Sequence, residues 1–396
     1  MAGNGVYVDS DSHVMEPEAI WQEYTPAKYR ALAPQAVEKD GVYYIMIEGR
    51  VFDGLPIAAA GIPNGLNDLE KTRHTKWSEI PSGAKEPHAR VAVLDEEGLT
   101  ASVLYPTIGL LYAAIRSAEV AAASCEAYNR WMADFCRAAP KRLFGVATLP
   151  LQDIDAAVKV LERAAKLGLR GATIRPTPYN HRRLCDASYD QFWATAQDLD
   201  MPISVHGSFA VDTVESVCSD RYPNNDLFFS HMICHPLEQE MASMDILAGG
   251  VLERFPRLKV SFLEAGAGWM MYWLDRTGTT KSSARSSHGS NTSRASCSGA
   301  IVMSRMTRTR RPCHMLSLRG SPTIFSGART IRTSTAFFQA RCASFSRSLN
   351  PCRPTSPTAC CAEIPHASIT SILAGDRRRR GARPSSAYIR LDGFRV

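Results

Sequence analysis

The chain has 396 residues, 45% of them hydrophobic and 21% charged, with a net charge of +7; this suffices for one large α/β domain or two ordinary ones. The N-terminal residues lack a basic stretch followed by an apolar core, and no apolar run reaches membrane-spanning length. Neither a signal peptide nor a membrane partner is therefore expected, and the chain reads as cytoplasmic. In that compartment the eleven cysteines read as thiols, and with none in a Cys-x-x-Cys pair a structural zinc site is not expected.

The first element is a short apolar run that breaks into Asp9-Ser10-Asp11-Ser12-His13. Alternate side chains of a strand share a face, so Asp9, Asp11 and His13 are expected on one side. A carboxylate and an imidazole placed so can reach one divalent ion; as plain caps of a strand end they would need none. Residues 16–29 read as polar and partly helical, punctuated by Pro17 and Pro26. Residues 42–52 alternate as a hairpin around Glu48-Gly49, and the Gly- and Pro-rich residues 53–85 read as a long excursion.

From residue 86 the periodicity is regular. Helices are expected over 86–97, 117–138, 154–167, 189–198 and 237–254. Strands are expected over 100–105, 143–148, 171–175, 202–206 and 259–264. This alternation argues for parallel βαβ units. The strands end in His13, Tyr105-Pro106-Thr107, Thr148, Arg175, His206-Gly207-Ser208 and Glu264. In a (β/α)8 barrel the active site lies where such ends meet. Six ends are two short of closure; a doubly wound sheet is the alternative, but no Gly-rich nucleotide loop follows the first strand.

Asp9 to Pro17 (DSDSHVMEP), Leu104-Tyr105-Pro106-Thr107, Val205-His206-Gly207 and Gly249 to Gly268 (GGVLERFPRLKVSFLEAGAG) together resemble the amidohydrolase-related metal-dependent hydrolases. That group includes aminocarboxymuconate-semialdehyde decarboxylase and its relatives. The resemblance covers residues 5–275. It implies a (β/α)8 TIM-like barrel and one divalent metal ion, usually zinc, held by Asp11, His13 and His206. It also implies hydrolysis or non-oxidative decarboxylation of a small carboxylated substrate, and a homodimer. Many members have His where Asp11 stands, and Glu264 falls where the decarboxylases carry a catalytic His. A carboxylate there suits proton transfer or ligation. His235 is expected to line the site, with His231 incidental. Arg175 suits either a substrate carboxylate or a neighbouring Asp.

Beyond residue 275 the sequence changes character. Residues 276–396 carry twenty Arg and one Lys against three acids, a net of +18, which leaves −11 on residues 1–275; no acid lies between Asp275 and Glu363. The periodicity fades, and neither closing strand of a barrel is visible. Re-reading codons one base out of frame permits a Trp-Gly-Ser-Asp-Tyr-Pro-His segment across 324–341, like the family's eighth strand. Two further stretches, 298–310 and 350–370, permit matches to the seventh strand and closing helix. The expectation is a frame change near 276–281, a barrel domain over 1–275 with an excursion at 36–85 and its last two strands lost or disordered, activity impaired in this chain, and a basic tail without selected nucleic-acid binding. The rival is a non-catalytic pseudoenzyme or misfolded product with a sticky cationic tail.

Overall fold

The computed structural model describes residues 7–63, 65–207, 217, 218, 221, 229–266, 268–270, 272 and 273, and the backbone of 300–305 and 334–339. The chain divides into two compact units, Met1–Ala343 and Ser344–Val396, and every element below belongs to the first.

Strand β1 (Val8–His13) is followed by an antiparallel excursion, β2 (Gln35–Lys39), β3 (Val42–Ile47) and β4 (Arg50–Phe52). The β3–β4 hairpin turns on Glu48 (φ 51°) and Gly49 (φ 75°), both left-handed as a two-residue turn of primed type requires. Residues 57–85 are wound into short helical turns rather than left as open loop. The remaining strands are β5 (Ala101–Tyr105), β6 (Leu143–Gly145), β7 (Ala147–Thr148), β8 (Ala172–Ile174), β9 (Ile203–His206), β10 (Lys259–Leu263), β11 (Ala300–Arg305) and β12 (Ser334–Gln339).

Two sheets carry these strands, ordered β1-β5-β6 and β12-β11-β10-β9-β8-β7. Only Val146 separates β6 from β7. Its N–H bonds to Leu104 of β5 at 3.0 Å, and the next amide, Ala147, bonds to Gly171 beside β8 at 2.9 Å. One extended segment therefore hands over from one sheet to the other, and the pair reads as the wall of a (β/α)8 barrel. All ladders from β1 round to β11 are parallel. Where patterning showed neither closing strand, the backbone places two. β11, apolar over residues 300–303, fills the seventh position beside β10; β12 fills the eighth but runs antiparallel to β11. The expected frame change, the acidic eighth-strand residue and the rest of the basic tail lie outside the described residues.

Helices cover the outside of the wall. Ala118–Arg137 is capped by Ser117, whose Oγ accepts from Val120 N–H at 3.3 Å. It buries Val120, Ala121, Tyr128, Met132 and Phe135, the i, i+4 stripe that a core-facing helix needs. Ile154–Lys166 is capped by Asp153 in the same way and buries Val158 and Leu161. The helix expected over 237–254 is split: His235–Leu247 ends at Gly249-Gly250, and Val251–Arg254 starts afresh from the left-handed Gly250. No helix among the described residues is long and apolar enough to cross a membrane. Cys125, Cys136, Cys185, Cys218 and Cys234 are free thiols.

β1 differs from its expected alternation. Its register on β5 runs Val8↔Ala101, Asp9↔Ser102, then Ser12↔Leu104, His13↔Tyr105. Three steps along β1 match two along β5, so one extra residue is bulged between Asp9 and Ser12. A bulge changes the parity of side chains on either side of it. Asp9 is thereby separated from Asp11 and His13, correcting the expectation that all three share a face.

Candidate metal centre

Asp11, His13 and His206 each offer one ligand atom, and these atoms all lie within 4.8 Å of one another. β1 supplies two of them and the C-terminal end of β9 the third. His206 and Asp11 are fully buried, with His206 Nε2 3.7 Å from Asp11 Oδ1. His13 Nδ1 lies 2.8 Å from the Pro106 carbonyl oxygen, and His206 Nδ1 lies 2.5 Å from that of Gly207. A carbonyl only accepts, so both Nδ1 atoms carry the proton. Both Nε2 atoms are then bare, and they face each other at 3.2 Å. Burial, the largest cause for each ring, pushes both imidazole pKa values down to about 4, so near neutral pH no proton fills the gap.

Two lone pairs opposed at that distance repel unless a cation lies between them. Ligands about 2.0–2.1 Å from one tetrahedral zinc ion stand roughly 3.4 Å apart, close to the observed separation. Carbonyl-oriented imidazoles beside a buried carboxylate are a donor set suited to a divalent ion, and the residues present fit such an ion.

Glu264 caps β10 at the rim of this cluster. Its Oε1 lies 3.9 Å from His13 Nε2 and its Oε2 4.0 Å from His235 Nε2. Its backbone is left-handed at φ 60°, which costs a side-chain-bearing residue roughly 1–2 kcal/mol, a strain typical of functional positions. His235 opens the helix His235–Leu247 after a π-helical turn at Ser230–Cys234. Burial holds its pKa well below the ordinary value, and its Nε2 has no hydrogen-bond partner among the described residues. The Nε2 edge of the ring packs on Gly207: a Cβ there would meet His235 Nε2 and Cε1 at 2.4 Å, so only glycine admits it. Further along this helix Gln239 donates to Val205 O at 2.9 Å and Leu263 O at 3.2 Å, tying β9 to β10. The ring of His231 stands 5.3 Å from that of His235.

Arg175 follows Ile174, the register partner of Val205, and so stands beside His206 on the neighbouring strand end. It is buried, and its guanidinium makes no hydrogen bond among the described residues. Its recorded ion pair is to Glu238, at a loose 3.9 Å, rather than to an Asp. Arg175 lines a small hollow together with Leu110, Tyr112, Leu149, Thr173 and Tyr179.

Two supporting residues carry no signal in sequence spacing. Glu16, fully buried, accepts from the amides of Thr107, Ile108 and Gly109 at 3.3, 3.0 and 2.9 Å. It thereby fixes the turn that follows Pro106, whose carbonyl orients His13. Burial pushes its pKa up to about 7 against the opposing pull of those amides. Arg90, also buried, donates to Ser12 Oγ at 3.1 Å and to the His13 carbonyl. Beneath the cluster Tyr105, Ser204 and Ser261 are linked hydroxyl to hydroxyl at 2.8 and 2.7 Å.

Comparison with known proteins adds the family. Residues 81–298 match the amidohydrolase family model. The gamma-resorcylate decarboxylase of Polaromonas sp. (strain JS666) is 25% identical over 211 residues, 50% of this chain and 62% of that protein. The 2-amino-3-carboxymuconate-6-semialdehyde decarboxylase of Dictyostelium discoideum is 26% identical over 194 residues, 49% and 51% respectively. The chain thus spans only part of the length of these relatives. Among solved structures, an amidohydrolase from Mycobacterium avium subsp. paratuberculosis K-10 superposes with a TM-score of 0.59 at 20% identity, covering 71% of this chain and 78% of that one. A dihydroxybenzoic acid decarboxylase from Polaromonas sp. JS666, with bound manganese and 2-nitroresorcinol, superposes at 0.51 and 18% identity, covering 75% and 77%. At such identities these superpositions establish the fold.

Proposed function

The chain belongs to the amidohydrolase family, and we propose that within it this protein is built for metal-dependent, non-oxidative decarboxylation, or hydrolysis, of a small carboxylated substrate. The relatives that share half of its length are decarboxylases, which favours decarboxylation, and a carboxylated aromatic as the substrate. The observation that carries the reading is the pair of bare Nε2 atoms of His13 and His206 opposed at 3.2 Å beside Asp11.

In this proposal Asp11, His13 and His206 hold one divalent ion. Zinc is the proposed ion, since imidazole donors suit it; manganese, present in the dihydroxybenzoic acid decarboxylase neighbour, is the alternative. When bound, such an ion supplies Lewis acidity that polarises a carboxylate or lowers the pKa of water. Arg175 binds an anionic group of the substrate through its planar fork. Glu264, with His235 behind it, moves the proton that decarboxylation or hydrolysis requires. Pro106 and Gly207 carbonyls keep the imidazoles in the tautomer that leaves Nε2 bare. A homodimer and a basic tail without selected nucleic-acid binding complete the proposal.

A second reading is favoured by one observation: no acid lies between Asp275 and Glu363, where the eighth strand of the family carries one. On that reading this chain is impaired, a weak metal binder with little turnover, and its residues 276–396 are an out-of-frame tail. Metal content and decarboxylase activity on hydroxybenzoates, measured for this chain and for one with the frame restored near residue 276, test both readings. Metal and turnover in the restored chain alone support impairment. Equal activity in both overturns the frame argument, and none in either overturns the decarboxylase assignment.

A further inference from the structure

Metal ligands on a strand must be aimed as well as present, and β1 aims its two ligands through an irregularity. The ladder is broken between Asp9 and Ser12, a stretch that contains Asp11, and a slip by one residue there would turn Asp11 or His13 away from the site. A bulge of this kind is held by whatever satisfies the backbone and side chains at its end. Here that is Arg90.

Arg90 sits on the helix Pro87–Glu96 with 2% of its surface exposed. Its two terminal nitrogens diverge onto adjacent residues of β1, one to Ser12 Oγ at 3.1 Å and the other to the carbonyl of His13. The fork is matched to two acceptors that lie together only when the chain has resumed its register, with Ser12 opposite Leu104 and His13 opposite Tyr105. The ring of His13 is meanwhile tied to Pro106 O. The backbone of His13 is thus fixed from the helix side, and its imidazole is oriented by the neighbouring strand end. Burial of a permanently charged guanidinium is costly, and here both terminal nitrogens donate to β1.

We infer that Arg90 is a positioning residue of the metal centre: by clamping the register of β1 after the bulge it sets where Asp11 and His13 present their ligand atoms. This rests on the reading of Asp11, His13 and His206 as metal ligands, and the test separates the two. Co²⁺ and Mn²⁺ are titrated into the full-length chain, following the Co²⁺ visible spectrum, for wild type and for Arg90→Lys, Arg90→Met, Ser12→Ala and His206→Ala. Loss of an orienting partner behind a metal ligand costs roughly 10- to 100-fold in affinity. Arg90→Met is expected to weaken binding by that amount and to alter the cobalt spectrum. Arg90→Lys, which keeps the charge but not the fork, and Ser12→Ala, which removes one acceptor, are expected to weaken it several-fold. A purely structural Arg90 would lower the unfolding temperature yet leave the affinity and spectrum of the folded variants at wild-type values, and that result would overturn the inference. Should Arg90→Met fail to fold, wild-type affinity in both Arg90→Lys and Ser12→Ala would overturn it equally. If His206→Ala binds both metals as wild type does, the ligand assignment itself fails, whatever Arg90 does.

Discussion

Glu264 and His235 meet at the rim of the barrel, Oε2 to Nε2 at 4.0 Å, with the carboxylate held on a left-handed backbone at φ 60°. The other oxygen of Glu264 faces His13, so one carboxylate lies between a proposed metal ligand and a second buried imidazole. A group that moves a proton here should be dispensable for metal binding. In the frame-restored chain, Glu264→Gln should reduce turnover by about 100-fold or more and leave metal content unchanged. Loss of metal in step with activity would make Glu264 a ligand instead.

Arg175 should act on binding. Replacing its fork with methionine removes a charged, directional contact to the substrate, worth on the order of 1.5–3 kcal/mol, or roughly 10- to 150-fold in KM. The change also leaves Glu238, 2% exposed, without its counter-charge, so Arg175→Lys is the informative companion. A KM increase in the lysine variant with stability near wild type supports substrate binding. An unchanged KM with reduced stability would assign Arg175 to the Glu238 pair alone.

The histidines set an acid limit. With folded pKa values of about 4 against an ordinary 6.5, His13 and His206 stay neutral in the metal-free fold, while the unfolded chain takes up protons. Their contribution to stability is complete above pH 6.5 and is lost as pH falls from there through 4. Denaturant midpoints of EDTA-treated protein should decline across that window, and the decline should shrink in His206→Gln. A flat profile would show that the rings are protonated in the fold.

Glu16 works in the opposite direction. Its folded pKa of about 7 lies above the ordinary 4.5, so its contribution is complete below pH 4.5 and is lost as pH rises through 7. Glu16→Ala strips three buried amides of their acceptor, at an expected cost of about 3 kcal/mol, read from denaturant unfolding. It should also release the Pro106 turn that orients His13 and thereby weaken metal binding. A stability loss under 1 kcal/mol would remove Glu16 from this role.

Much of this was legible in the amino-acid sequence because it follows from periodicity. The helix over 118–137 and the strand–helix alternation from 101 to 263 come from patterns of period 3.6 and 2, and strand ends in a barrel converge whatever their loops do. His13 and His206 met because each ends a strand, and Asp11 stands two residues before His13 on the same strand. Arg175 and Glu264 lie at the same mouth for the same reason. The bulge in β1 was not legible, since an extra residue in one strand shows only against its partner. Arg90 and Glu16 escaped notice because a buried charge on a helix or in a loop looks, in sequence, like any solvated one. The strands at 300–305 and 334–339 were masked by the Arg- and Ser-rich composition around them.

The proposed metal centre requires β1 and β9 together to hold one divalent ion. Titration of Zn²⁺ and Mn²⁺ into EDTA-treated full-length protein, followed by calorimetry, tests it most directly. A single saturable site is expected, lost in both His13→Ala and His206→Ala and retained in Glu264→Gln. Binding that is absent from folded wild type, or that survives both histidine substitutions undiminished, would contradict it.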